Sequence, residues 1–127
     1  MALRISFEPQ LRVGAPGSES VAALLVPLLG AIRQWGSLAE AAKAIGCSYR
    51  HAWGLIGKWR DVLGEPLASL EPGRGTRLTP LGERLLWTDQ QVRERVGPVL
   101  ARFASELEDE LAKGRSARRK RSPAEGK

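Results

Sequence analysis

Ser48, Tyr49, Arg50 and His51 follow one another directly, Lys58 lies seven residues after His51, and Arg74 and Arg77 flank Gly75 in a later Pro/Gly-rich stretch. All of these are hydrogen-bond donors or cations: arginine can span the O6 and N7 atoms of guanine, and serine, tyrosine, arginine and lysine commonly hold phosphate oxygens. Recognition of a polyanion is the chemistry they could perform. A catalytic set is not legible beside them. His51 stands without a nearby acid or cysteine nucleophile, so a general-base role is not expected. Cys47 is the single cysteine, which excludes an internal disulfide, and no Cys/His cluster is spaced for zinc. Glu106, Glu108, Asp109 and Glu110 spread around a helix, the pattern of a solvated face more than of a metal site. The glycines near Arg74 lack the Lys-Ser/Thr that completes a phosphate loop. Accordingly no enzymatic activity, cofactor or metal is expected.

The elements that would carry these side chains can be read in turn. Leu3, Ile5 and Phe7 alternate with Arg4, Ser6 and Glu8, which predicts a half-buried strand ended by Pro9, with Leu11 and Val13 as a returning strand. Leu28, Leu29 and Ile32 have helical spacing, and a first helix is expected from Pro27 to Trp35 with the proline in its first position. Ser37-Leu-Ala-Glu40 matches a capping box opening a second helix, whose stripe of Leu38, Ala41, Ala42 and Ile45 is small enough for close helix contact. Gly46 should end that helix and Ser48 cap a third, running to about Leu63. On it, Ala52, Ile56, Trp59 and Leu63 share one face, Arg50, Gly54, Gly57 and Asp61 lie opposite, His51 and Lys58 flank that outer face, and Trp53 sits at the boundary. Leu67–Leu70 and Thr76–Thr79 read as two short strands around a Pro/Gly turn with Arg74 at its tip. Thr79-Pro80 then opens a fourth helix continuing to about Lys113, with a bend expected at Gly97-Pro98. Its apolar residues recur mostly every fourth position, from Leu81 to Leu111, over more length than one small domain can cover, which calls for a second chain.

Of the formal charge of +6, residues 114–127 carry six cations against Glu125, a net of +5, which leaves +1 on residues 1–113. The body is nearly neutral, and the 114–127 segment, poor in apolar residues, is expected to be a disordered basic tail. The most apolar run, Val21 to Leu29, is interrupted by Pro27 and is far shorter than a membrane span, and no signal-peptide pattern is seen. A cytoplasmic protein without membrane association is therefore expected.

Helix, glycine-containing turn, helix and two-stranded hairpin is the order of a winged helix-turn-helix, in which the second helix of the pair enters the DNA major groove. The expected fold is mainly α with small β, comprising an N-terminal strand region, the helix-turn-helix at about 37–63, the wing at about 67–79 and a dimerisation helix at about 80–113. Residues 1–113 then form the domain. Gly54 and Gly57 each cost about 1 kcal/mol against alanine in a helix interior, which suits a backbone that must approach another molecule closely.

GSLAEAAKAIGCSYRHAW, with GEPL at residues 64–67 and RLTPLGERLL at residues 77–86, resembles the DNA-binding domain of ModE-type molybdate-responsive transcriptional regulators and, more distantly, the winged helices of LysR-type regulators. The resemblance covers about residues 27–110. It implies a homodimer held by the N-terminal strand region and the long helix, with Ser48, Tyr49 and Arg50 opening the recognition helix. The wing, reduced to EPGRGT, is shorter than the family's, and the region before the first helix is longer by SESVAALLV. Because the chain stops where full-length members continue into molybdate-binding domains, molybdate binding by this chain is not expected.

Sequence-specific, dimeric binding of double-stranded DNA is thus the expected function. The DNA-binding candidates are Ser48, Tyr49, Arg50, His51, Lys58, Arg74 and Arg77. Arg50 is expected to contact DNA, Tyr49 to bond a phosphate or pack on the helix pair, and Ser48 to act chiefly as a cap. Arg74 is expected at the minor groove or backbone and Arg77 along the backbone, whereas Lys58 and Arg60 are of a kind that is more often plain surface charge. The four tryptophans are spaced as core or interface residues. The alternative is a dimeric interaction module that keeps the fold without binding an operator, for which the near-neutral body and short wing speak.

Overall fold

The computed structural model describes residues 3–125, with side chains through Arg115. Its elements are β1 (Arg12–Val13), β2 (Ser20–Val21), α1 (Leu25–Trp35), α2 (Leu38–Ile45), α3 (Tyr49–Leu63), β3 (Ala68–Glu71), β4 (Gly75–Leu78) and α4 (Pro80–Glu125). The backbone divides into two compact units, residues 10–91 and a second made of the N-terminal segment with α4 from Val92 onward.

In the first unit, α1 begins two residues before the expected Pro27. Proline is tolerated there because the first donors of a helix have no intrahelical acceptor to lose. Leu25, Leu28, Leu29 and Ile32 are fully buried. α1 packs on α2 through the small stripe of Leu38, Ala41 and Ala42, and Ala52 and Ile56 of α3 close the same cluster. A second cluster joins Ala22, Leu25 and Leu29 to Trp59 and Leu67. Leu63, placed by spacing on the inner face of α3, is exposed, since it is the last residue of the helix and extends past that core.

Local signals set the helix ends. Ser37 Oγ accepts from the Glu40 N–H at 3.3 Å, while the Glu40 carboxylate turns to Lys43 Nζ at 3.9 Å. Gly46 closes α2 with φ 76°, a left-handed conformation that costs glycine nothing, and the Cys47 N–H reaches the Ala42 carbonyl at 3.0 Å. Ser48 Oγ then accepts from the His51 N–H at 3.0 Å, so Gly46, Cys47 and Ser48 alone separate α2 from α3.

β3 and β4 form an antiparallel hairpin in which Ser69 is opposite Arg77 and Leu70 opposite Thr76. Two joints fix this wing to the helices. At the first, the Thr76 N–H donates to the Gly36 carbonyl at 3.0 Å, and the Leu38 N–H donates to Thr76 Oγ1 at 3.2 Å. A Cβ at Gly75 would collide with that same Gly36 carbonyl. At the second, Thr79 donates its N–H to the Leu67 carbonyl at 3.0 Å and its hydroxyl to the Pro66 carbonyl at 2.8 Å, and its oxygen accepts from the Gly82 N–H at 3.1 Å. Gly82 faces the Leu67 carbonyl so closely that a Cβ there would overlap it. The GEPL and LTPLG pieces of the sequence are thus the two sides of one joint.

In the second unit, the N-terminal segment departs from its period-2 pattern. Residues 3–11 form no strand, and the pairing found belongs to the first unit, the short β1–β2 ladder of Arg12 with Val21 and Val13 with Ser20. A strand needs a neighbouring strand to satisfy its backbone. Here the Ile5 N–H donates instead to Glu108 Oε2 of α4 at 2.6 Å, and Leu3 and Phe7 remain exposed. α4 runs without interruption through Gly97-Pro98 and on to Glu125. Residues 114–125, expected from composition to open a disordered basic tail over 114–127, have helical backbone, and the last two residues of that segment lie outside the described residues. No helix among the described residues is long and apolar enough to cross a membrane.

Candidate nucleic-acid interface

The face of α3 turned away from the core carries Tyr49, Arg50, His51, Gly54 and Lys58, all exposed. Tyr49, Arg50 and His51 occupy the first turn, where the backbone N–H groups not used within the helix point outward and favour anionic oxygens. Ser48 is exposed, but its Oγ is engaged in the cap. Arg50 and Gly54 follow one another along one line of the helix, and a Cβ added at Gly54 would meet nothing within 4 Å. No packing among the described residues therefore calls for glycine there.

Lys58 lies differently. Its Nζ sits 4.9 Å from the centroid of the Trp59 ring, so the ammonium is held back over an aromatic face of its own helix. Asp61, the acid on the outer face, is paired with Arg60 Nε at 3.2 Å. On the wing, the Arg74 N–H closes the hairpin turn on the Glu71 carbonyl at 2.9 Å, which leaves the exposed Arg74 side chain at the tip. Arg77 is exposed on β4 and borders a shallow recess shared with Arg33, Gly36 and Glu83. The structure thus gathers Ser48 to His51 on a single turn, places Lys58 further along the same helix, and sets Arg74 and Arg77 on the adjoining hairpin.

Of the tryptophans, Trp59 is 2% exposed and belongs to the core, whereas Trp35, Trp53 and Trp87 each leave about half of their surface free. Trp53 is the residue near the candidate face that the sequence pattern left at a boundary, and it projects outward with 47% of its surface free. Thr76 and Gly82, which hold the wing in place, were also not legible as such. The signal for Gly82 was present in the LTPxG piece, whose glycine sits inside a helix without any turn to explain it. Among the described residues, no three His, Cys, Asp or Glu side chains come together as a metal site would require.

A helix-turn-helix whose second helix is exposed along its outer face, followed by a hairpin bonded to the first two helices, makes the chain a winged helix-turn-helix domain. No protein-family model matches it. It is 35% identical over 101 residues to the molybdenum-pterin-binding protein MopB of Rhodobacter capsulatus, a match covering 76% of this chain and 36% of MopB. It is 38% identical over 65 residues to the molybdenum transport protein ModE of Azotobacter vinelandii, covering 48% of this chain and 24% of ModE. The chain therefore spans between about a quarter and just over a third of the length of these curated relatives. Among solved structures, it is similar to the CbnR DBD in its DNA complex, with a TM-score of 0.55 at 23% identity over 65% of this chain and 94% of that one. DarR of Vibrio fischeri, an LTTR family member in complex with DNA, superposes with a TM-score of 0.53 at 15% identity over 67% of this chain and 28% of that one. The ModE-type likeness read from the sequence is borne out by the curated relatives, and the more distant LysR-type likeness by the shared fold.

Proposed function

We propose that the chain is the DNA-binding part of a transcriptional regulator, acting as a homodimer on a two-fold symmetric site with one α3 in the major groove of each half-site. The observation that carries this reading is the outer face of α3, where Tyr49, Arg50 and the uncovered Gly54 stand exposed on a helix fixed by a three-residue turn. The major groove is about 12 Å wide, enough for one helix. Arg50 reads a base edge or holds a phosphate, Tyr49 and Ser48 lie against the backbone of the duplex, and His51 and Lys58 border the groove. Arg74 and Arg77 bring the wing to the neighbouring phosphates or minor groove. Residues 1–113 serve as the winged-helix module with its dimerisation arm.

The homodimer is supported by α4. Val92, Val96, Val99, Phe103, Leu107 and Leu111 recur at helical spacing and are all exposed, an unpartnered stripe that a second copy of the same helix would cover. The basic segment from residue 114 adds affinity that does not depend on sequence, through phosphate neutralisation. The regulated genes are expected among those that handle molybdenum, the metal named in MopB and ModE.

Selection of genomic fragments by the full chain at physiological salt tests this reading. Enrichment of an inverted repeat, protected in footprinting, is the expected result. A folded, dimeric chain that enriches nothing would point to the interaction module without operator binding.

A further inference from the structure

Trp53 belongs to neither buried cluster of the winged helix. Six residues further along α3, Trp59 is 2% exposed and fills the space beneath the helix, whereas Trp53 leaves 47% of its surface free. Single exposed apolar residues are ordinary, but a half-free indole on the outward side of a helix, beside Tyr49 with the same exposure, is a costly place for the largest side chain. At about 100° per residue, Trp53 stands roughly 60° from Arg50 and 40° from Tyr49 around the helix. Side chains on a helix lean toward its N-terminus, so the indole leans toward the Tyr49-Arg50 turn. The next residue in its row, Gly57, carries no side chain that would cover it from the other end. An apolar plate therefore adjoins the cation proposed to meet base edges.

In the major groove the base edges offer donors and acceptors with one apolar exception, the C5-methyl group of thymine. We infer that Trp53 is a specificity-determining residue that reads the C5-methyl of a thymine in each half-site. The inference rests on the DNA-binding reading above. It assigns to Trp53 a preference that no hydrogen-bonding residue on α3 can supply, because uracil and thymine differ in the major groove by that methyl group alone.

The full chain is first used to select its site. In the selected duplex each thymine is then replaced singly, in both half-sites, by uracil, and affinities of the wild type, Trp53→Ala and Trp53→Gln are measured at one salt concentration. The expected result is one thymine per half-site at which uracil weakens the wild type about fourfold per half-site, the worth of one buried methyl group, while both variants bind the two duplexes equally. Circular dichroism melts check that the variants are folded, and the glutamine variant keeps side-chain length without the apolar plate. If uracil weakens wild type and variants alike at every position, or the wild type nowhere, Trp53 does not read the methyl although DNA binding stands. If the first step selects no sequence, the DNA-binding reading fails and the inference with it.

Discussion

Thr76 Oγ1 accepts a hydrogen bond from the Leu38 N–H at 3.2 Å, tying the second strand of the wing to the first residue of α2. Thr76 is 4% exposed, and the donor is one of the helix-opening N–H groups that no residue of α2 itself can satisfy. Replacing Thr76 by Val keeps the shape and removes the acceptor, leaving a buried N–H unpaired. The expected cost is about 1 to 3 kcal/mol. Thr76→Ser, which retains the oxygen, should recover most of it. Urea unfolding of the three proteins measures the difference, and equal midpoints for Val and Thr would show that the bond contributes nothing net.

The glycines of this fold divide into those the chain itself requires and those it does not. A Cβ at Gly82 would overlap the Leu67 carbonyl, and backbone on both sides leaves no flexible group to move away. Gly82→Ala should therefore open the joint between GEPL and α4 and destabilise the domain by several kcal/mol, at the upper end of single-residue effects. Gly54 has nothing within 4 Å of its added Cβ. Gly54→Ala is expected to raise stability by about 0.5 to 1 kcal/mol through helix propensity. If the backbone at Gly54 faces DNA closely, the same change lowers affinity for the selected site. Thermal melts and binding titrations of both variants separate the two roles, and unchanged DNA affinity in Gly54→Ala would remove the close approach.

Most of the helix-turn-helix was legible because its signals are local. Ser37, Gly46 and Ser48 each settle a helix end with a backbone conformation or a single hydrogen bond, and the Leu38, Ala41, Ala42 stripe identifies the buried face by spacing alone. The strand pattern of Leu3, Ile5 and Phe7 misled for the opposite reason. Alternation states which side chains share a face and says nothing of whether a partner strand exists, and here the backbone met a carboxylate of α4. Thr76 escaped notice because its partner is 38 residues away in sequence. Within the candidate interface, the positions of Tyr49, Arg50 and Arg74 followed from helix and turn periodicity, whereas the folding back of Lys58 over Trp59 depends on a side-chain rotamer that spacing does not encode.

Arg50 is exposed on the first turn of α3. If its guanidinium reads a base, Arg50→Ala should lose about 1 to 3 kcal/mol of discrimination at one position of each half-site. A phosphate contact would instead weaken binding to all sequences about equally and make the salt dependence shallower by about one unit of log–log slope. Lys58→Ala should change DNA binding less than Arg50→Ala, since its ammonium is already placed against Trp59. Repeated selection with each variant, followed by salt titration on a matched and a scrambled duplex, distinguishes these outcomes. Identical selected sequences and identical slopes for wild type and Arg50→Ala would exclude Arg50 from the interface.

Phe103 is 55% exposed in the middle of the apolar stripe of α4, between Val99 and Leu107. A long helix in water gains most of its stability from packing an apolar face and little from propensity, so the stripe is expected to pair with its counterpart in a second chain. Phe103→Glu would bury a carboxylate in that seam with no partner, a cost of several kcal/mol per chain in an apolar setting. Sedimentation should therefore show a dimer for the wild type and a monomer for Phe103→Glu at micromolar concentration. Helical content should fall with it, because α4 loses the contact that sustains it, while the melt of the helix-turn-helix unit is retained. The exposed Asp109, about 120° from Phe103 around the helix, gives the control, since Asp109→Lys reverses a charge outside the stripe and should remain dimeric. If Phe103→Glu sedimented with the wild type, the stripe of α4 would not be the dimer contact, and the two-fold site proposed for the DNA would need another source of symmetry.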